Sequence, residues 1–453
     1  MAAPSFRSNA IRSPAELFKL DINELKKLRS EFEIDIKKLI DTTADTKAIA
    51  RDTKFIGYID NLLEIKDPEI EKKALDIMLH GDPVRYIIDV YNRLHVSDTN
   101  LGKTLILSVA TQSATTTDGI QPKGTGSSGK GKTHAFSTVY HLIPDVGYKI
   151  EGSLSAKSLF YNPDLMPGTI EYSDDVRISD DLEDTLKRSM SKFQEKTTHR
   201  TLIKQEYIEL TMPQRMVFWM TAVDSNFSDE LINRLYDGNV DESSETDVAV
   251  TEQRKERAIN ADEAMPVDEE VKICRAIIHM VKCKLFKVII PYAKFIDWTD
   301  SRDRRNFNRF LDLVQGFAVM SYMQRQEFEE GTITASTKDF DDAKKLYDAT
   351  SNSQICKLTS AELRMAEWLS AMGQKTINEM VKQYLKADGT KYQYNGIRKT
   401  LKGNDGKSGL LSKLPGLMVK KVNGEDSFEL PEFDNVCVGS IVSLKKEAYN
   451  IFS

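Results

Sequence analysis

The chain has 453 residues, of which 40% are hydrophobic and 29% charged, a balance that allows about two to four soluble domains with a sizeable core. Its formal net charge is −6, so any contact with nucleic acid would depend on local basic patches. The sequence has neither a run of about 18 apolar residues nor an apolar signal-peptide core near its start, and it therefore predicts neither a membrane span nor secretion. The four cysteines never form a CxxC pair, which argues against a zinc site or a disulfide framework and suits a reducing cytoplasm.

The first part of the chain has the spacing of amphipathic helices. Ser13 and Pro14 match an N-cap followed by proline at the first helical position. Apolar residues then recur every three or four positions through FKLDINELKKLRSEFEIDIKKLI and beyond, with charged residues between them. We therefore predict a helical N-terminal domain over residues 1–95, which serves packing or assembly.

A glycine-rich stretch, GTGSSGKGKT at residues 124–133, carries two overlapping phosphate signatures. Read from Gly124, it is the GxGxxG of a redox dinucleotide site, and read from Gly126, it is the GxxxxGK[ST] of a P-loop. A dinucleotide fold also needs an acidic residue about 20 positions later, at a strand end. Asp145 lies at roughly that distance, but Pro144 before it indicates a turn, so an NAD-dependent oxidoreductase is the weakest hypothesis.

The P-loop register accounts for more residues. Backbone N–H groups near the end of the loop would form an anion nest at a helix N-terminus. Lys132 would reach the β- and γ-phosphates of ATP, and the hydroxyl of Thr133 would ligate Mg²⁺. Gly124 would then be only a flexible lead-in to the loop. The predicted nucleotide-binding residues are Gly126, Ser127, Ser128, Gly129, Lys130, Gly131, Lys132 and Thr133.

A P-loop needs an acidic pair at the end of a neighbouring strand, and PGTIEYSDDV supplies one. One carboxylate would hold Mg²⁺ and the other would orient the attacking water. Asp174 and Asp175 stand at that position, one strand-helix-strand excursion after the loop. We therefore predict Thr133 and Asp174 as the Mg²⁺ ligands.

A third strand signal, at residues 216–220, ends at the polar residue Thr221. Thr221 could position the attacking water, and Arg234, shortly after it, could reach the γ-phosphate of a neighbouring subunit. The alternative is a buried strand followed by a surface arginine. The alternation of β-type and helical segments predicts an α/β nucleotide-binding core over residues 96–236.

Three regions follow the predicted core. Residues 237–265 are polar and mostly acidic and predict an exposed connector. Residues 266–352 return to helical spacing and predict a helical region. In residues 353–453, three helical segments precede two β-type runs around Asn423-Gly424, a strong hairpin turn. This order of elements resembles a winged helix.

Basic residues concentrate in this C-terminal unit. In an acidic chain, such a patch predicts contact with DNA. A protein-interaction module with a solvated basic face is the alternative. The basic residues are Lys391, Arg398, Lys399, Lys402, Lys407, Lys413, Lys420 and Lys421.

Taken together, these motifs resemble the AAA+ ATPases, in the helicase-like branch that includes MCM-type and related viral or plasmid replicative helicases. The similarity covers roughly residues 95–350 and extends to the C-terminal unit. It lies in YKIEGSLSAKSLFYNPDLMPGTIEYSDD, in SDDLEDTLKRSM and in the lid segments DRRNFNRFLDLVQGFA and ITASTKDFDDAKKLYDA. The resemblance implies an α/β P-loop AAA+ core with a helical lid, a helical N-terminal region and a C-terminal winged-helix domain.

The resemblance also implies roles for single residues. Thr221 falls at the sensor 1 position, where the family usually has asparagine, and Arg234 resembles the arginine finger. Arg305, with Arg304 as the neighbouring choice, matches the sensor 2 arginine. Asp175 replaces the usual glutamate, and the zinc and OB domain of the MCM N-terminus is absent. A hairpin over residues 196–210 would contact DNA through His199, Arg200 and Lys204.

These observations predict an ATP-dependent DNA helicase or replication-initiation motor. ATP and Mg²⁺ would lie between the subunits of a ring, which we expect to be a hexamer. The expected partners are single-stranded or forked DNA and a primase or other replication proteins. The alternative is a nucleotide-switched initiator or loader that binds DNA without unwinding it.

Overall fold

The computed structural model has a parallel sheet covered by helices on both faces, a helical region before it and a smaller unit after it. Short 3-10 helices cover Pro14–Lys19, Ala293–Phe295 and Tyr322–Gln324. The structure describes residues 13–42, 45–125, 129–152, 154–174, 178–203, 206–222, 227–241, 243–261, 265–299, 304–356, 360–385, 389–404, 407–414, 416–422, 424–430 and 442–452.

Five helices precede the sheet. Asp45, Asp67 and Asp82 begin the second, third and fourth of them, because each aspartate side chain accepts hydrogen bonds from N–H groups of the first turn. No helix in the described ranges is both long and apolar enough to traverse a lipid bilayer. The helices are α1 Ile22–Thr42, α2 Thr46–Ile65, α3 Pro68–His80, α4 Pro83–Leu94 and α5 Thr99–Thr111.

The α/β region follows α5 and contains a five-stranded sheet with the order β2-β3-β6-β1-β7, in which every pairing is parallel. Strands β4 and β5 lie outside that sheet and form a separate antiparallel hairpin. Its elements are β1 Pro122–Thr125, α6 Lys132–Leu142, β2 Lys149–Glu151, α7 Ala156–Tyr161, β3 Ile170–Ser173, α8 Asp180–Ser191, β4 Thr197–Ile203, β5 Glu206–Met212, β6 Val217–Ala222, α9 Asp229–Ile232 and β7 Tyr236–Asn239.

Strand β6 is apolar on both faces because both faces of the sheet are covered. Trp219 packs with Phe136 of α6 on one face, and its indole N–H donates to Ser108 Oγ at 2.9 Å. Phe218 and Met220 belong to a second core on the other face, together with residues of α7 and α8. The order of strands brings the carboxyl ends of β1, β6 and β3 to one edge, where the predicted site residues lie.

The region after the sheet contains helices with short strands between them. The segment predicted as an exposed connector contains α10, a 17-residue helix that begins where the side chain of Ser243 accepts from the N–H of Thr246. The elements are α10 Ser244–Asn260, α11 Glu269–Lys282, β8 Lys287–Ile289, β9 Ile296–Trp298, α12 Arg304–Met320, β10 Glu327–Glu329, β11 Thr332–Thr334 and α13 Thr337–Cys356.

The C-terminal unit has its own hydrophobic core, built around Met365, Leu401 and Phe428. The chain then returns to the preceding region, because β17 pairs with β9 and the hydroxyl of Tyr449 donates to Asp341 at 2.5 Å. The elements are α14 Ser360–Met372, β12 Lys375–Thr376, α15 Ile377–Gln383, α16 Tyr394–Lys402, β13 Gly403–Asn404, β14 Lys407–Ser408, α17 Leu410–Lys413, β15 Met418–Val422, β16 Glu425–Glu429, β17 Val442–Leu444 and α18 Lys446–Phe452.

Strand β3 contains a buried carboxyl group. Glu171 is 6% exposed, and its register places it between Ile150 and Phe218. Burial raises the pKa of Glu171 from about 4.5 to about 8 because a charged carboxylate is poorly solvated there. The folded chain therefore retains this proton over a pH range in which the unfolded chain has released it.

We predict that Glu171→Gln raises the thermal midpoint relative to the wild type near pH 8 and that the difference shrinks toward about pH 5. The reason is linkage: the raised pKa costs the wild type up to about 1.4 kcal/mol of unfolding free energy per pH unit between the two pKa values. Thermal melts across this range measure the difference. The exposed Glu151→Gln on β2 is the control, and a difference for Glu171→Gln that is independent of pH would contradict the prediction.

Candidate nucleotide-binding site

The glycine-rich loop joins β1 to α6, the position that a P-loop requires. Gly129 and Gly131 both have left-handed backbones, with φ of 78° and 94°. Only glycine adopts this conformation without strain, and it turns the chain sharply on either side of Lys130. The predicted residues Gly126, Ser127 and Ser128 lie outside the described residues.

Helix α6 begins directly at the loop. Its N-cap is Gly131, which has no side chain to accept from the first-turn N–H groups. Such N–H groups, together with the positive end of the helix dipole, favour a phosphate at this point. Lys132 is the first residue of the helix and is 6% exposed, whereas Thr133 beside it is exposed. The P-loop register therefore places a cation, a hydroxyl group and the N–H groups of a helix N-terminus together.

Asp174, which follows β3, connects to α6 and β6 through hydrogen bonds. The hydroxyl of Thr133 donates to both carboxylate oxygens of Asp174 at 3.1 Å, and the hydroxyl of Thr221 donates to the same carboxylate. This geometry follows from the strand order, because β6 lies between β1 and β3. A hydroxyl and a carboxylate are oxygen ligands of the kind that Mg²⁺ prefers, so Thr133 and Asp174 fit this metal. Asp175 lies outside the described residues.

Gly124 differs from its predicted role as a flexible lead-in. It belongs to β1 and pairs with Thr221 on one side and Gly238 on the other. A Cβ atom at this position would lie 2.6 Å from Cε2 of Phe136 and 3.4 Å from Cγ2 of Thr221. The glycine is therefore required because α6 packs closely against the strand.

A histidine pair lies beside the loop, and the sequence motifs gave no sign of it. His95 Nε2 lies 2.8 Å from a carboxylate oxygen of Asp98 and donates to it, and His95 Nδ1 lies 2.7 Å from His134 Nδ1. The two rings stack with centroids 5.0 Å apart. Burial and the neighbouring His95 lower the pKa of His134 to about 4. His134 is therefore neutral near pH 7, and the ring of His95 lies beside the turn at Gly131.

The side chain of Lys130 in the loop forms an ion pair with a residue of α10. Its ammonium group lies 2.5 Å from a carboxylate oxygen of Asp247, in the first turn of α10. The sequence assigned this helix to an exposed connector and so did not predict the pair. Helix α10 therefore reaches the predicted phosphate site.

Arg234 lies apart from the loop, where α9 leads into β7. Its Nε donates to Ser191 Oγ at 2.9 Å, and its other two nitrogens donate to the carbonyl and carboxylate of Glu230 at 2.7 and 3.1 Å. The arginine borders a cleft of about 620 Å³ that also contains Lys187, Arg188 and Lys192. Arg305 is exposed at the start of α12, and the side chain of Arg304 lies outside the description.

The predicted DNA-binding residues differ in their surroundings. In the β4–β5 hairpin, His199 is half-buried with its ring 5.1 Å from that of Phe160, and Arg200 is exposed but pairs with Glu209 at 3.2 Å. Lys204 lies outside the described residues. The hairpin therefore presents one exposed arginine and no fully exposed histidine.

In the C-terminal unit, five of the eight predicted basic residues lie on α16 and β15. Arg398, Lys402 and Lys421 border a cleft of about 250 Å³, which Glu425 and Asp426 also line. Lys402 pairs with Asp426, and Lys420 pairs with Glu429 at 2.6 Å. Lys399 is exposed on α16. Part of the positive charge of this surface is therefore neutralised locally.

Comparisons with known proteins agree with a P-loop at this position. A family model, the MTBMA_p00010 P-loop domain, matches residues 67–284, which run from α3 to α11. The uncharacterized protein MTBMA_p00010 of Methanothermobacter marburgensis is 24% identical over 319 residues, 67% of this chain and 39% of the relative. The chain thus spans about two fifths of the length of that relative. The match supports a nucleotide-binding P-loop domain with an α/β fold.

We predict that Gly124→Ala lowers the free energy of unfolding by about 1–3 kcal/mol, because the added methyl group must displace the ring of Phe136. Thermal or urea unfolding measures the change. Gly57→Ala is the control: its Cβ would meet no atom within 4 Å in the middle of α2, so this variant should be neutral or slightly more stable. Equal effects of the two substitutions would contradict the close packing.

Proposed function

We propose that the chain is a DNA-dependent P-loop ATPase of the AAA+ type that acts as a helicase or replication-initiation motor. The observation that carries the proposal is the carboxylate of Asp174, which accepts from Thr133 at the P-loop and from Thr221 on the intervening strand. A metal-side carboxylate that accepts from the P-loop threonine and from the end of a neighbouring strand is the arrangement expected of a nucleotide-hydrolysing site. A glycine-rich loop that only binds a dinucleotide does not require this arrangement.

The residues of the site have complementary roles in this proposal. Lys132 neutralises charge on the β- and γ-phosphates, and the backbone N–H groups of the loop hold them in place. Thr133 and Asp174 would hold Mg²⁺, which would supply positive charge to the phosphates. Thr221 fixes the rotamer of Asp174 through its hydrogen bond. Asp175 orients the attacking water.

Arg234 completes the site of a neighbouring subunit. A guanidinium group has five N–H donors, and three contacts to Ser191 and Glu230 leave the remaining donors available to a phosphate. The side chain is 15% exposed and borders a cleft with three further cations. These features support a ring, a hexamer in our proposal, in which Arg234 and the P-loop of the next subunit form one site. Arg305 could act from either side.

DNA is the proposed polymer substrate. The β4–β5 hairpin is paired separately from the five-stranded sheet and carries the exposed Arg200. The C-terminal helices and the β15–β16 hairpin support a winged helix whose basic face includes Arg398 and Lys399. Contacts of this kind with phosphates are strongly salt-dependent.

We predict that Lys132→Ala reduces ATP turnover to background and abolishes displacement of a strand from forked DNA, because the phosphates lose their main cation. Lys103→Ala, in the Gly-Lys-Thr sequence on α5, is the matched control and should leave turnover unchanged. Unchanged turnover in Lys132→Ala would exclude this mechanism. ATP turnover by the wild type without strand displacement would favour the initiator or loader.

We predict that Arg234→Ala is inactive alone and regains ATP turnover when mixed with Lys132→Ala. Mixed rings contain interfaces that combine an intact P-loop with an intact arginine, whereas rings of either variant alone contain none. Steady-state turnover across mixing ratios measures the recovery. A mixture as inactive as its components, under conditions in which subunits exchange, would contradict the action of Arg234 in the neighbouring site.

A further inference from the structure

Helix α10 is held against the rest of the chain by polar contacts. None of its described side chains is fully buried, and its two most exposed apolar residues, Val248 and Ile259, are 62% and 82% exposed. A helix without a buried apolar face gains little from tertiary packing and is easily displaced. Its contacts are Lys130 with Asp247, Thr246 with Asp241, Gln253 with the carbonyl of Arg93, and Arg257 with the carbonyl of Leu94.

The contact at Lys130 involves the phosphate loop itself. The side chains of Lys130 and Asp247 are 23% and 55% exposed, and ion pairs with such exposure contribute about 0.2–1 kcal/mol. The phosphates of a nucleoside triphosphate carry several negative charges within reach of the same loop. Lys130 cannot give its full charge to a phosphate and to Asp247 at once, so the two anions compete.

A second series of hydrogen bonds joins α6 to α10. His134, the residue after Thr133, shares a hydrogen bond with His95, which donates to Asp98. The other carboxylate oxygen of Asp98 accepts from the backbone N–H of Asp241 at 2.6 Å, and Asp241 in turn accepts from Thr246 at 2.6 Å in the first turn of α10.

The backbone conformation in the middle of this series of hydrogen bonds is unusual. Ser97 and Asp98 have φ of 71° and 57°, a left-handed conformation that is costly for residues other than glycine. This conformation directs the Asp98 carboxylate to His95 on one side and to Asp241 on the other. A shift of α6 is therefore passed to the start of α10 through side chains that already touch.

We propose that α10 responds to occupation of the P-loop: Asp247 and the nucleotide phosphates compete for Lys130, and phosphate binding releases the first turn of α10. The inference rests on the proposed nucleotide binding. By linkage, the reverse also holds, so that docking of α10 weakens nucleotide binding by the same factor. Helix α11 follows α10 in the chain, and its N-cap Asp268 and first-turn Glu270 both pair with Arg93.

The test is the affinity for a non-hydrolysable ATP analogue, measured by titration calorimetry. Asp247→Asn should bind the analogue about 1.5- to 5-fold more tightly than the wild type, which is the pair's 0.2–1 kcal/mol expressed as a ratio. Glu252→Gln removes the same charge from α10 at a carboxylate that pairs with Lys255 and should change nothing. In a Lys130→Met background, Asp247→Asn should have no effect on affinity.

Hydrogen exchange gives a second readout that depends only on the wild type. Exchange of the backbone amides in the first turns of α10 should increase when the analogue binds. In Asp247→Asn, it should be high with or without the analogue. An unchanged or weaker affinity of Asp247→Asn overturns the inference, and so does wild-type exchange that stays the same or falls on binding.

The two proposals fail in different ways. If the wild type binds neither the analogue nor ADP, the proposed function fails and the inference fails with it. If the wild type binds nucleotide but Lys130 and Asp247 show no coupling, only the inference fails. Should Asp247→Asn not fold, wild-type exchange alone decides.

Discussion

The geometry of the site depends on one carboxylate, that of Asp174, which accepts hydrogen bonds from two other elements of the fold. Asp174 accepts from Thr133 at the start of α6 and from Thr221 at the end of β6. These hydrogen bonds form because β6 lies between β1 and β3, which brings three strand ends to one edge of the sheet. The fold thus sets the spacing of the chemical groups, and a change in strand order would separate them by more than a side chain can span.

Local sequence patterns predicted those parts of the site that lie within a few residues of each other. The P-loop register, the apolar run of β6 and the strand ending at Asp174 are all short-range signals, and each lies where it was expected. The role of Gly124 could not be predicted in this way. Its constraint is the ring of Phe136, which approaches only after α6 has folded back over β1.

The contacts around the loop were missed for the same physical reason. His95 and His134 are 39 positions apart, and Lys130 and Asp247 are 117 apart. These pairs come into contact only through the topology of the fold, which composition and periodicity do not reveal. The acidic composition of the segment containing α10 predicts an exposed connector, but polar residues also suit a helix that contacts a surface through hydrogen bonds and ion pairs. Long-range polar contacts of this kind leave no periodic trace in the sequence.

The pairing of β17 with β9 has a mechanical consequence. The C-terminal unit is connected to the rest of the molecule at two points. The chain enters it after α13 and returns to the preceding region at β17. Two anchorage points restrict swivelling far more than a single tether does. A load pulling on α16 or β15 is therefore shared between two connections, one after α13 and one through the pairing of β17 with β9.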